Sequence, residues 1–132
     1  MEDQAVLLTP TATPRKILVL LDNLFFAAKI NQAAVQANVQ PVYAKTSARG
    51  LVIARADHPA QIIIDLDEAK CGPLEFLALL KADNDLRAIP TLGFVSHVNI
   101  GLQQQAREVG CDRVMARSAF DRNLVALLSQ NS

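Results

Sequence analysis

The stretch from Gln61 to Asp67 constrains this chain more than any other. It reads Gln-Ile-Ile-Ile-Asp-Leu-Asp, a short run of β-branched residues that follows Pro59 and ends on acids. Such a run is typical of a strand buried on both faces, and these strands belong to parallel sheets covered by helices on both sides. In such sheets, ligands bind beyond the carboxyl ends of the strands. The position of Asp65 therefore indicates chemistry or binding rather than packing.

The rest of the chain repeats an alternation of strand and helix. Strands are predicted at 16–21, 39–44, 61–67, 91–96 and 113–116, and helices at about 24–38, from Thr46 or Ser47 to about 57, at 73–81, at 100–109 and from Ser118 onward. Pro41 lacks the N–H that a central strand needs, so the second strand is predicted at a sheet edge. Short loops and right-handed crossovers then give an α/β fold with a doubly wound, five-stranded parallel sheet.

Composition sets further bounds. The 132 residues include 51% hydrophobic residues, which is enough for one core and leaves no room for a separate output domain. We divide the chain into a flexible N-terminal tail, 1–15, and a single domain, 16–130. Thirteen basic residues balance thirteen acidic ones, which argues against a nucleic-acid binder. The sequence has no apolar run long enough to span a membrane, so we expect a cytoplasmic protein without membrane or nucleic-acid partners.

Several short patterns occur in a common register. They are Asp22 after the first strand, Asp65 after the third, Leu74-Glu75-Phe76-Leu77 at the start of the third helix, Ile89-Pro90 before the fourth strand and Gly110-Cys111-Asp112 before the fifth. In this order they resemble the receiver domain of two-component response regulators. The resemblance covers nearly the whole chain, and it implies the flavodoxin-like strand order 2-1-3-4-5.

The resemblance also implies a site. Asp65 takes the position of the phosphoacceptor in a phosphorelay, and Asp22, Asp65 and the backbone carbonyl of Asp67 take the positions of Mg²⁺ ligands. Arg117 stands where the family has a lysine near the phosphate. A histidine kinase or another signalling protein is the implied partner. The face formed by the fourth helix, the fifth strand and the last helix is the implied surface for a partner or a second copy.

Four positions depart from the family pattern. Leu21 replaces one of two adjacent acids, and Val95 takes the place of a hydroxyl residue, with Ser96 one position later. Val114 replaces an aromatic residue that moves on activation. Because the guanidinium of Arg117 is planar, it is not equivalent to a lysine ammonium. We expect an atypical receiver, or pseudo-receiver, that binds Mg²⁺ weakly and switches weakly or not at all.

The leading hypothesis is therefore a stand-alone, non-enzymatic receiver that acts by protein contact, in which Asp22, Asp65 and Arg117 form a mainly structural cluster. The alternative is a small haloacid-dehalogenase-like phosphatase, because an apolar strand ending in Asp65-Leu66-Asp67 resembles the nucleophile motif of that family. A nucleotide or flavin site is a weaker option, since the loop after the first strand has no glycine. We expect Asp67 and Glu68 to be solvated loop acids and His97 to lie at the rim of the site.

Overall fold

The computed structural model describes residues 14–96 and 98–129. The predicted tail lies outside the described residues except for its last two positions, and so does His97. Within the described ranges, no helix is long and apolar enough to cross a membrane.

Five strands form one parallel sheet. They are β1 (Arg15–Leu20), β2 (Val39–Ala44), β3 (Gln61–Asp65), β4 (Thr91–Val95) and β5 (Arg113–Ala116). The spatial order is β2-β1-β3-β4-β5, and all four pairings are parallel. This confirms the predicted sheet and its strand order. Pro41 lies in β2, at the edge of the sheet, as its missing N–H requires.

The strands are joined by helices with well-formed ends. The helices are α1 (Leu24–Ala37), α2 (Ser47–Asp57), α3 (Pro73–Ala82), α4 (Ile100–Val109), α5 (Arg117–Arg122) and α6 (Leu124–Ser129). The side chain of Asn23 caps α1 by accepting from the Phe26 N–H, and that of Thr46 caps α2 by accepting from the Arg49 N–H. Gly110 ends α4 in the left-handed conformation that glycine tolerates best.

The sheet separates two apolar clusters because successive strand residues face opposite sides. Leu18, Leu20, Ile62 and Ile64 pack with α2, α3 and α4 on one side. Ile17, Val19, Ile63 and Phe94 pack with α1, α5 and α6 on the other. Ile62, Ile63 and Ile64 are fully buried, which confirms that β3 is covered on both faces. The site residues at the end of β3 therefore follow a strand that is packed on both faces.

The last helical region differs from its prediction. We expected one continuous helix from Ser118 onward, but α5 begins at Arg117, and Ala116 precedes it without a side-chain cap. The region is divided at Asn123, where α5 ends, and α6 begins at the next residue. The apolar residues of this region are nevertheless all buried; they are Phe120, Leu124, Leu127 and Leu128. The early start places Arg117 at the junction of β5 and α5, where its side chain reaches the end of β3.

Candidate functional site

Asp65 is a buried acid at the carboxyl end of the central strand. Only 3% of its surface is exposed, and the three isoleucines before it are fully buried. Because β3 lies between β1 and β4, this end of the strand is flanked by the loops that follow both neighbours. The fold thus places a carboxylate at the predicted site, and the question is which groups neutralise it.

Arg117 neutralises Asp65. Its Nη2 atom donates to Asp65 Oδ1 at 2.9 Å and to Asp67 Oδ2 at 3.2 Å. The backbone N–H of Asp67 also donates to Asp65 Oδ1, at 3.0 Å. One guanidinium nitrogen thus bridges two carboxylates, and the loop after β3 folds back onto the acid that precedes it. Each of these bonds to a charged group is stronger than a neutral one.

Aromatic rings support the guanidinium from the core side. The Arg117 Cζ atom lies 4.8 Å from the centroid of the Phe94 ring and 5.4 Å from that of Phe26. The Phe94 and Phe120 rings are stacked, with centroids 4.6 Å apart and planes within 9°. These distances are in the range of cation–π contacts. Sequence reasoning did not identify this support. The available signal was strand alternation: Phe94 precedes Val95 in β4, so its ring faces the opposite side of the sheet.

Asp67 is an exposed loop acid, as expected, but its side chain also takes part in the site, which the expectation did not include. Its Oδ2 atom accepts the backbone N–H of Ser96 at 2.7 Å as well as the Arg117 bond. The side chain is 26% exposed. The sequence signal for this role was the Asp-x-Asp spacing of Asp65 and Asp67. With this spacing, a short turn can bring the second carboxylate back to the end of the strand. The predicted role of the Asp67 backbone carbonyl stays a prediction.

Asp22 pairs with other cations. Its two carboxylate oxygens lie 3.8 Å from Lys45 Nζ and 3.8 Å from Lys70 Nζ, respectively. The predicted cluster of Asp22, Asp65 and Arg117 is thus divided, because Arg117 joins Asp65 to Asp67 while Asp22 is held by lysines. Lys45 directly follows β2, and Lys70 lies in the loop after β3, so both were identifiable as residues of the same sheet edge.

Burial dominates the protonation of Asp65. It raises the pKa of this carboxyl above its ordinary value, because the charged form loses its hydration. The positive charge of Arg117 and the N–H of Asp67 lower the pKa, whereas the negative charge of Asp67 raises it. The net direction is upward, so the available donors only partly compensate for the loss of water.

These acids, as arranged, do not fit a divalent cation. Magnesium prefers oxygen ligands in near-octahedral geometry. Here a guanidinium holds Asp65 and Asp67, and two lysines lie beside Asp22. Across residues 14–96 and 98–129, no group of three or more His, Cys, Asp or Glu side chains is placed to hold a metal ion. The cations of the chain itself thus lie against one side-chain oxygen of Asp65, one of Asp67 and both of Asp22.

The residues at the two expected switch positions are aliphatic. Val95 is fully buried at the end of β4, within the cluster formed with α2, α3 and α4. Val114 in β5 is partly buried and packs against the same cluster. Neither side chain can donate a hydrogen bond to an anion. At Ser96, the group that engages the site is the backbone N–H.

A cleft of about 490 Å³ opens beside Arg117. It lies between the start of α1 and the start of α5, and its walls include Phe25, Lys29, Ser96, Ser118 and Asp121. Lys29 pairs with Asp121 at 3.4 Å and lies 5.7 Å from the centroid of the Phe25 ring. Ser96 and Arg117 thus line the cleft, whereas Val95 does not; the assignment of these residues to a phosphate site stays a prediction.

Comparison with known proteins agrees with this architecture. No protein-family model matches the chain. The polar-differentiation response regulator DivK of Brucella abortus is 21% identical over 103 residues, which cover 78% of this chain and 84% of DivK. The response regulator from Hahella chejuensis superposes with a TM-score of 0.78 at 18% identity, covering 87% of this chain and 92% of the other. The Mn²⁺-bound form of response regulator Rcp1 gives 0.71 at 17% identity, covering 88% and 90%.

The structural likeness establishes the fold, and the DivK match adds sequence similarity over most of both chains. The acid at the end of β3 and the cation at the end of β5 occupy the positions expected from the sequence patterns. The chain therefore has the fold of response-regulator receiver domains, and it is similar in sequence to one of these regulators over most of its length.

Proposed function

We propose that this domain is an atypical receiver that works by protein–protein contact, and that phosphorylation of Asp65 is weak or lost. The observation that carries the proposal is the bond from Arg117 Nη2 to both Asp65 and Asp67. A phosphoryl group on Asp65 would add negative charge where two carboxylates already share one guanidinium. It would also disturb an arginine that aromatic rings hold in place. Transfer to this acid is therefore disfavoured.

Phosphate-driven switching is also disfavoured at the two valines. A switch needs a group that moves toward the phosphate and a second group that follows it. Val95 is fully buried and apolar, and Val114 offers no ring. Ser96 lies next to Val95, but strand alternation directs neighbouring side chains to opposite faces. The hydroxyl of Ser96 is therefore a poor substitute for one at position 95.

Weak Mg²⁺ binding by Asp22, Asp65 and the Asp67 carbonyl stays a prediction. A cation entering this site would have to displace Arg117 from Asp65 and separate Asp22 from its two lysines. Displacing Arg117 leaves a partly buried charge without its partner, whereas the lysines beside Asp22 are exposed and lose only weak surface pairs. We therefore expect any divalent cation to bind with low affinity and with rearrangement of these side chains.

Two surfaces support a role in protein contact. On the face formed by α4, β5 and α5, the exposed residues Arg107, Arg113 and Arg122 supply positive charge. At the start of α1, Leu24 is 83% exposed and Phe25 is 77% exposed. Large apolar side chains that are exposed and clustered are typical of interaction sites. A histidine kinase, another signalling protein or a second copy of the chain remains the proposed partner.

Phosphodonor treatment tests the proposal. The purified domain is incubated with acetyl phosphate and Mg²⁺, and its intact mass is measured beside that of Asp65→Asn. We expect little or no phosphorylated protein in either sample. Stoichiometric phosphorylation of the wild type that disappears in Asp65→Asn would show that Asp65 is an efficient phosphoacceptor, and the proposal would then be wrong.

The phosphatase alternative gains no support from the comparisons. Its second acid would have to exchange protons with a substrate, whereas Asp67 is bonded to Ser96 and Arg117. We expect no Mg²⁺-dependent turnover of a generic phosphate ester. Turnover that requires both Asp65 and Asp67 would instead favour the phosphatase.

A further inference from the structure

Two donors from different parts of the chain converge on one oxygen of Asp67. The backbone N–H of Ser96, just beyond β4, lies 2.7 Å from Oδ2, and Nη2 of Arg117, the first residue of α5, lies 3.2 Å from it. Asp67 itself belongs to the loop after β3. Its carboxylate thus joins the segments that follow three adjacent strands of the sheet.

The donors are of a kind that binds oxyanions. A backbone N–H and a guanidinium can both direct protons toward a negatively charged oxygen, and such charge-assisted bonds are short and strong. The 2.7 Å separation at Ser96 lies at the short end of that range. Fixed donors of this kind stabilise negative charge wherever it is placed between them. In this structure the negative charge is supplied by the protein.

The same donors are the ones that an oxyanion on Asp65 would need. Arg117 Nη2 already bonds Asp65 Oδ1 at 2.9 Å, so Asp65 and Asp67 compete for one nitrogen. The Asp67 backbone N–H, which also bonds Asp65, fixes the turn that brings the second carboxylate back. A group attached to Asp65 would therefore find the donors of Arg117 and Ser96 already bonded to the Asp67 carboxylate.

We propose that the Asp67 carboxylate is an internal anion that occupies the oxyanion-binding donors of this site, Ser96 N–H and Arg117. The contact is autoinhibitory toward external anions, and it holds the loops after β3 and β4 in one arrangement without a phosphoryl group. This inference rests on the proposed function, because it supplies a physical reason for weak phosphorylation. Once Asp67 is removed, the site should accept a tetrahedral oxyanion.

Inorganic phosphate is the probe. Backbone ¹H–¹⁵N spectra are recorded for the wild type and Asp67→Ala, and phosphate is titrated at constant ionic strength and pH. Loss of the short bond should move the Ser96 amide resonance upfield in Asp67→Ala. The freed donors should then give saturable shifts at Ser96, with an apparent Kd lower than that of the wild type by about tenfold or more.

Two further variants control the measurement. Glu68→Ala removes the neighbouring acid, and it should leave the Ser96 resonance and the phosphate response as in the wild type. Asp67→Asn removes the charge and nearly preserves the volume, so it tests the same contact if the alanine variant does not fold. It should strengthen phosphate binding at Ser96, though less than Asp67→Ala does.

The inference is overturned if removing Asp67 leaves the Ser96 amide unchanged, or if wild type and Asp67→Ala bind phosphate at Ser96 equally well. Either result would leave the proposed function standing, since that depends on phosphorylation of the wild type at Asp65. Conversely, efficient phosphorylation of Asp65 in the wild type would reject the proposed function while the effect of Asp67 on Ser96 could still be measured. The two failures are therefore distinguishable.

Discussion

The Arg117 guanidinium lies over the ring of Phe94, with 4.8 Å between Cζ and the ring centroid. The Nη2 atom of the same group donates hydrogen bonds to Asp65 and Asp67. A planar cation can stack on a ring while its edge donates hydrogen bonds, whereas an ammonium is a compact point charge. The planar shape of Arg117, and not only its charge, therefore allows it to contact the Phe94 ring and bond both carboxylates at once.

Replacing Arg117 should destabilise the domain in proportion to the contacts that the new residue loses. In Arg117→Met, the buried Asp65 loses its cation, and we expect a loss of about 2–3 kcal/mol at neutral pH, near the cost of removing a hydrogen bond to a charged group. Arg117→Lys keeps the charge but loses the planar stack, at about 1 kcal/mol. Urea unfolding measures both losses. Arg122→Met, at an exposed position in the same helix, should change stability little, and an equal loss there would contradict the argument.

Asp65→Asn should make the protein more stable at neutral pH. Burial raises the pKa of Asp65 in the folded state, so the folded protein binds more protons than the unfolded chain between the ordinary value, 3.8, and the raised one. The contribution of Asp65 to stability therefore falls as the pH rises through this window. Asparagine resembles the protonated form and avoids the loss.

Urea unfolding of wild type and Asp65→Asn, measured in parallel from pH 4 to pH 7, tests this sign. We expect the advantage of the variant to grow with pH and to be smallest at the acid end. A variant that is less stable than the wild type at pH 7 would mean that the bonds from Arg117 and Asp67 outweigh the cost of burying the charge.

The sheet was predictable because its signals are local. The β-branched run before Asp65 predicts a strand buried on both faces, and Pro41 predicts an edge strand; both are confirmed. The placement of Asp65 at a site followed from periodicity and the rule that ligands bind beyond the carboxyl ends of parallel strands. The position of Arg117 came from the resemblance to receivers.

The partners of the charged side chains were not predictable in the same way. Whether Asp67 faces solvent or returns to Ser96 depends on a turn of two residues, and both outcomes suit the same composition. The pairing of Asp22 with Lys45 and Lys70 depends on long side chains with many rotamers. The helix break at Asn123 was not predictable either, since the apolar spacing is compatible with a continuous helix.

A second carboxylate at the opposite end of the sheet should stabilise the fold in a pH-dependent way. Asp112 Oδ2 accepts from the Thr91 N–H and hydroxyl, both at 2.9 Å, and from Lys81 at 3.2 Å. Partial burial alone would raise the pKa of Asp112, but these bonds outweigh it and the pKa is lowered. Its contribution is therefore present above the ordinary value, 3.8, and is lost as the pH falls through the lowered one.

Thr91→Val tests this network, because Thr91 is 2% exposed and its hydroxyl also accepts the Asp112 N–H at 2.9 Å. We expect a loss of about 1–3 kcal/mol at pH 7, since the Asp112 N–H and the Asp112 carboxylate each lose a hydrogen bond to the hydroxyl. Thr91→Ser keeps the hydroxyl and should lose less. Unfolding of the three proteins at pH 7 and pH 3 gives the comparison. A difference between wild type and Thr91→Val that grows on acidification would contradict the lowered pKa of Asp112.

Two glycine-to-alanine changes should have opposite signs. At Gly93, in the middle of β4, an added Cβ would lie 2.7 Å from Leu66 Cδ1 and 3.3 Å from Cys111 Sγ. Leu66 is 1% exposed and has no room to retreat, so we expect Gly93→Ala to cost about 1–3 kcal/mol through overpacking. At Gly101, an exposed position in α4, nothing lies within 4 Å of the new atom, and Gly101→Ala should gain about 0.5–1 kcal/mol from helix propensity. Thermal and urea unfolding of both variants would decide the matter. Equal effects at the two positions would mean that the space around β4, directly beneath the site, is less tightly filled than these distances require.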